Sequence, residues 1–298
     1  MKDCKFTSQE AIFYMFDLLE KKILVHPFEY RNISSRYKLW FFYGWWMPLY
    51  YLLSSQSNNL NLEDKDNHQS HKVSLKGKAA NKLVFYKKYE KSEHVVLPKP
   101  FRLPQASLGK VLLSRRTARD FFNPMTIQEL SNVLFWSFCK VKEYRDLQQS
   151  TYKISPENLM VSLFTVQEIY IAALNIVGLS AGVYHYDISK HRLDCIRNKV
   201  NPDDLVDIAQ GQMFIKHTAC VLFLSGVIDR WSLRYQQERA YRDLLVTTSR
   251  LAHRVLLYGT QMGLKLFETP AMKDGRVCKL LKLKPWKEEP LYLLGLGK

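Results

Sequence analysis

The chain has 298 residues, 47% hydrophobic and 24% charged. That balance fits a folded protein with its own core and excludes a disordered chain, a collagen and a multi-span membrane protein. Lys and Arg number 44 against 28 Asp and Glu, a formal charge of +16, which favours acidic peptides, acidic partners or polyanions unless it is only a solvated lysine-rich surface.

In chain order, Ser8 caps a helix over 8–24, with Ile12, Met15, Phe16, Leu19 and Ile23 on one face. A second helix is predicted over 36–53. Its stretch 39–53 has no charge, yet it is shorter than the roughly 18 apolar residues of a membrane span and contains Pro48. A buried helix is the plain reading; peripheral contact with a membrane or a protein through 39–53 is the alternative. The polar stretch 54–80 reads as a mobile linker. After it, 95–104 is extended and punctuated by prolines.

A short helix is predicted at 107–113. A longer one at 126–139 has Thr126 as cap and Leu130, Val133, Leu134 and Phe138 inward. Strands are predicted at 168–175 and 181–186, joined by a turn at 177–180, with a third at 191–196. The apolar run 219–225 reads as a central strand. A long helix over 239–262 ends at Gly263, and a last strand covers 290–296. The division is a helical, aromatic-rich segment 1–55, a partly disordered linker 56–94 and a main domain 95–298. Helices flanking a mostly antiparallel sheet make the fold class α+β, with a short helical extension at the N-terminus.

Five widely spaced cysteines, with no Cys-x-x-Cys pair, support neither a zinc ribbon nor a disulfide scaffold and suit reduced thiols in a cytoplasm. Residues 1–20 lack the order of a signal peptide. The histidines are scattered, and no metal site is expected. P-loop, Rossmann and Gly-x-Ser-x-Gly patterns are absent. A nucleic-acid partner is not expected, since charge is its only support. The most informative stretch is Ser114-Arg115-Arg116-Thr117-Ala118-Arg119-Asp120-Phe121. Three guanidiniums beside a hydroxyl form a multidentate donor set suited to a phosphate and to heterocycle carbonyls, or else an exposed basic turn.

That Arg-Arg-Thr-x-Arg-x-Phe stretch resembles the Arg-Arg-Ser-x-Arg-x-Phe motif of the FMN-dependent nitroreductase superfamily. Further stretches follow in order: Glu168-Ile-Tyr170, Gly182-Val-Tyr184-His185-Tyr186-Asp187, Arg234-Tyr235, Arg239-Ala-Tyr241-Arg242 and Glu288-Glu289-Pro290-Leu-Tyr292. Together they resemble the SagB-type dehydrogenases of thiazole- and oxazole-forming peptide pathways, over about 95–298. The resemblance implies a nitroreductase-like fold, usually a homodimer with FMN at the subunit interface. It implies oxidation of peptide thiazolines or oxazolines to the aromatic azoles during maturation of a ribosomally made bacteriocin- or thiopeptide-like product, with reduced FMN reoxidised by oxygen. The implied partners are a precursor peptide bearing azolines and the cyclodehydratase subunits of the pathway.

Carried over by position, Arg115, Arg116, Thr117 and Arg119 match the FMN-binding motif, and Tyr235 matches the catalytic tyrosine. Arg234 stands where relatives have lysine. A phenol has an ordinary pKa of about 10, and a neighbouring cation lowers it; arginine cannot itself shuttle a proton. The family's Pro-Ser-x-Gly-Ala-Leu loop is replaced by Ser155-Pro156-Glu157-Asn158-Leu159, which leaves Ser155 and Asn158 as candidate loop contacts. On the long helix, His253 and Arg254 are candidate phosphate contacts. These departures keep two other readings open: a flavin-free scaffold subunit of the azole-forming complex, and an NAD(P)H-dependent nitroreductase.

Overall fold

A computed structural model of the chain describes residues 38–54, 84–102, 105–155, 162–231, 239–285 and 287–298. The helix expected at 8–24, the stretch 55–83, Asn158, Arg234 and Tyr235 lie outside the described residues. Those that are described fall in two units: 38–54 with Arg239, and all the rest.

In the first unit the helix expected over 36–53 is two helices, Lys38–Phe42 (α1) and Trp46–Ser54 (α2). The break lies at Gly44, whose φ of +66° is a left-handed conformation that glycine adopts without a Cβ clash. Pro48 does not break α2, because it sits in the first turn, where backbone N–H groups have no helical acceptor. The plain reading of a buried helix is corrected as well. Phe42 and Met47 are 79% and 73% exposed, and Leu39, Tyr43 and Trp45 also face solvent. Among the described residues no helix is long and apolar enough to cross a membrane.

The second unit is built on a seven-stranded sheet. Its strands are His94–Val96 (β1), Gln167–Ala173 (β3), Gly182–Asp187 (β5), Arg192–Arg197 (β6), Cys220–Val227 (β7), Lys265–Thr269 (β8) and Glu288–Gly297 (β9). Their order is β1-β6-β5-β3-β7-β9-β8, and every pairing is antiparallel. A small parallel pair, Met125–Thr126 (β2) and Ile176–Val177 (β4), lies beside it. This is the α+β class expected.

β3 and β7 are almost wholly buried because both faces of the sheet are covered. Alternation along β3 sends Ile169, Ile171 and Ala173 to one core and Tyr170 and Ala172 to the other. The first core is closed by Ile127–Ile154 (α4) and Arg239–Gln261 (α7). The second is closed by Pro202–Ile208 (α5), Asp274–Leu281 (α8) and a 3-10 turn at Met213–His217. Leu108–Ser114 (α3) precedes the arginine stretch, and Ile228–Trp231 (α6) follows β7.

Thr126 caps α4 in a full capping box with Glu129, as its sequence predicts. The helix then runs on to Ile154, well past the expected end at Cys139. Its later buried positions include Arg145 and Gln148, polar residues that no apolar period marks. Residues 84–94, placed with the linker by the sequence, are held against the sheet. Arg230 Nε donates to Val84 O at 2.8 Å, Tyr86 Oη to Asp146 Oδ1 at 2.6 Å, and Lys87 Nζ to Glu288 Oε2 at 2.6 Å.

Candidate functional site

Two sets of polar side chains stand out, one open and one buried. The open set is the arginine stretch. Ser107 caps α3, and Arg115 ends it with its N–H on Val111 O. The chain then lies along β8: Thr117 bridges Leu266 in parallel, and Ala118 N donates to Leu266 O at 2.8 Å. Phe122 N and Asn123 N reach Lys298 O at the end of β9. The backbone that carries the arginines is thus fixed along one sheet edge while their side chains stay accessible.

Arg116 Nη1 donates to Leu113 O and Arg115 O, both at 2.8 Å. Arg119 lies 5.9 Å above the Phe214 ring. Neither the Arg115 nor the Arg119 guanidinium donates to a protein oxygen or meets a carboxylate among the described residues, so both keep their side-chain donors for an outside anion. Asp120, next in the chain, is neutralised by Lys265 at 2.6 Å. This donor set fits the phosphate of a bound nucleotide. Thr117 is exposed beside it.

The remaining candidates separate from this stretch. Arg254 is placed differently from the expectation. Its Nε and Nη2 donate to Ser137 O and Trp136 O on α4 at 2.9 and 3.2 Å, and its guanidinium lies near the Phe164 and Tyr258 rings. It ties α7 to α4 and does not join the arginines at 115–119. His253 is exposed on α7, one residue out of phase with the buried face. Ser155 caps the end of α4 through its N–H on Thr151 O at 2.8 Å.

The buried set centres on Glu168 of β3, which is 1% exposed. Its Oε1 receives Arg230 Nη1 at 2.5 Å and lies 3.5 Å from Arg145 Nη2. Its Oε2 meets His185 Nε2 at 2.9 Å. Arg145 reaches in from α4 and also donates to Thr165 O at 3.0 Å and to Gln167 O. Burial alone would raise the Glu168 carboxyl; the Arg145 and Arg230 charges hold it well below the usual carboxylate range. Burial pulls His185 the other way from its carboxylate neighbours, Asp194 and Glu168, and those neighbours win, so its pKa is raised. Asp194 lies 2.9 Å from Arg192 Nε and 2.8 Å from His94 Nδ1.

A second knot adjoins the first. Lys87 Nζ donates to Tyr170 Oη at 2.6 Å and to Glu288 Oε2; Tyr170 and Ser225 hydroxyls donate to Glu288 Oε1 at 2.7 and 2.6 Å. Burial and the Glu288 charge raise the Tyr170 phenol well above its ordinary value. The motif residues Glu168, Tyr170 and His185 are each 1% exposed or less. They are closed to solvent and fasten residues 84–93, α4 and α6 to one end of the sheet. Glu288 was visible in the sequence only as part of the terminal motif, while Lys87, Arg145 and Arg230 gave no signal, since each lies far in the chain from its carboxylate. Among the described residues no group of three or more His, Cys, Asp or Glu could hold a metal.

Residues 161–298 match the nitroreductase family model. The chain is 26% identical over 288 residues to the trifolitoxin operon protein TfxC of Rhizobium leguminosarum bv. trifolii, covering 94% of this chain and 79% of that protein. It is 28% identical over 197 residues to a nitroreductase-type protein of Methanocaldococcus jannaschii, covering 66% of this chain and 93% of that one. Among solved structures, a nitroreductase-type protein of Anabaena variabilis has a TM-score of 0.57 at 23% identity; the match covers 72% of this chain and 43% of that chain. One from Ralstonia eutropha has a TM-score of 0.52 at 18% identity, covering 73% and 95%. These two speak to the fold, a helix-flanked sheet of the nitroreductase kind. Residues 161–298 thus form a nitroreductase-family domain.

Proposed function

We propose that the chain is an FMN-dependent dehydrogenase that turns peptide thiazolines or oxazolines into thiazoles or oxazoles while a ribosomally made peptide matures. The observation that carries this reading is similarity to a toxin-operon protein along 94% of the chain, joined to a nitroreductase-family domain. A shorter similarity, 26% over 121 residues, to the trifolitoxin-processing protein TfxB of the same bacterium supports a peptide substrate. It covers 39% of this chain and 32% of that protein.

In this reading FMN, when bound, supplies the two-electron acceptor. Arg115 and Arg119 hold its phosphate from a backbone pinned to β8, with the Thr117 hydroxyl beside them. Tyr235 takes the ring Cα proton, and the charge of Arg234 next to it eases loss of the phenol proton. Ser155, Asn158 and His253 stay candidate contacts. The apolar side chains of Leu108, Leu112, Leu113 and Phe122 flank the arginine stretch and are exposed, which suits a second copy of the chain covering the site in a homodimer. The same reading places the protein in the cytoplasm, with a cyclodehydratase supplying the azoline.

The test is incubation of the FMN-loaded protein with an azoline-bearing peptide, partner enzymes present. The expected result is loss of the mass of two hydrogens per ring, abolished in Tyr235→Phe. No mass loss would refute it. A flavin-free scaffold role is the second reading, favoured by Arg254 being engaged on α4 carbonyls. Failure to take up FMN would select it.

A further inference from the structure

Away from the arginine stretch, two cavities of about 480 and 450 Å³ adjoin, sharing Cys195, Ile196 and Lys282. Through these shared residues they join into one cleft between residues 88–93, the end of β6 and the end of α8. Its frame is fixed by the backbone. Cys195 N donates to Glu93 O at 2.9 Å, Ser92 N to Tyr89 O at 3.1 Å, and Leu283 N to Cys278 O at 2.9 Å.

Five cations line the cleft: Lys88 and Lys91 at one end, Arg197 and Lys199 at the other, and Lys282 between. They outnumber the two carboxylates, Glu90 and Glu93. Two of the cations are tethered to the wall. Arg197 Nε and Nη2 donate to Leu280 O and Lys279 O at 2.8 and 2.7 Å, and Lys282 Nζ donates to Ile196 O at 3.0 Å. Lys88, Lys91 and Lys199 have no carboxylate partner among the described residues, and all three are exposed.

From this geometry we infer that the cleft binds an acidic segment of the polypeptide on which the chain acts, remote from the ring that reacts. A lone phosphate wants donors converging on one point. Here the free cations are spread along a cleft. An extended chain with several carboxylates satisfies that spread, and the +16 charge of the whole chain draws it in. The identity of the occupant rests on the peptide-processing reading above; the binding does not.

The experiment measures binding of fluorescein-labelled decaglutamate to the full chain by anisotropy, together with the rate at which maleimide labels Cys195, read by peptide mass mapping. The double variant Lys88→Glu/Lys199→Glu is expected to weaken binding about tenfold or more. Lys153→Glu/Lys190→Glu makes the same change of net charge on exposed sites elsewhere and is expected to leave it nearly unchanged. The milder Lys88→Gln/Lys199→Gln is expected to fall between, and bound peptide slows labelling of Cys195. Equal weakening by the two reversals, no binding by the parent chain, or unprotected Cys195 overturns the inference. Flavin uptake and azole formation are assayed separately on the same variants, so a cleft that binds in a protein that makes no azole refutes the enzyme reading alone.

Discussion

Glu168 is the residue whose loss the molecule should feel most. It is the shared counter-ion of two buried arginines and accepts from a buried histidine. Glu168→Gln keeps the size and removes the charge, leaving Arg145 and Arg230 in the interior without it. Breaking a buried pair in this way costs about 3–5 kcal/mol. Thermal or urea unfolding should show a large drop, and a variant of parental stability would contradict the role assigned to the network. Two histidines make opposite predictions for pH. Ser131 Oγ donates to Pro98 O at 2.6 Å, so it accepts from His191 Nε2 at 2.8 Å, and a neutral His191 ring then accepts at Nδ1 from Tyr186 Oη at 2.7 Å. That arrangement suits a neutral ring, and burial depresses the His191 pKa. Its stabilising contribution is therefore full above the unfolded value of about 6.5 and fades as pH falls through the lower folded value. His185 is raised, so its contribution is present below about 6.5 and fades as pH rises through its folded value. Urea unfolding across this range should show a weaker acid-side loss in His191→Gln and a weaker alkaline-side loss in His185→Gln. An unchanged profile in either variant would contradict its assignment.

At the scale of the element, local rules carried far and then stopped. The Thr126 cap, the apolar run of β7 and the helical period after Arg239 are local signals, and each marks a real element. Thr126→Ala should cost about 1 kcal/mol by removing that cap. The edge strands β1 and β8 were not legible, because such short segments gain their partners only from the assembled sheet. The second half of α4 was missed for a related reason: Arg145 is buried by partners in β3 and in the turn before it, which no local period announces. Gly182 at the start of β5 is another long-range demand. A Cβ there would stand 2.6 Å from the Arg197 carbonyl oxygen of β6, so Gly182→Ala must push two paired strands apart. We expect a loss of at least a few kcal/mol, read as a lowered urea midpoint; a neutral result would contradict the β5–β6 register.

For the molecule as a whole, the sheet order sets the distance between what is fastened and what is open. The polar knots clamp residues 84–93 over one end of the sheet, at the start of β9, while the arginine stretch lies along the β8 edge beside the other end of β9. The family motif was legible in the sequence, but its parts divide between these two places: Glu168, Tyr170 and His185 build the frame, and Arg115 and Arg119 face outward as candidate ligand donors. The sequence did not separate them, because residue type alone does not tell a buried staple from an exposed donor. Arg254, which looked equivalent to the outward arginines, is engaged by α4. We propose that the outward arginines hold FMN. This is tested most directly by the visible absorption spectrum of the purified chain, with the released chromophore identified by mass. The expected result is a yellow protein that yields FMN and loses it in Arg115→Ala/Arg119→Ala while unfolding at nearly the parental temperature. A colourless protein that takes up no added FMN would contradict it.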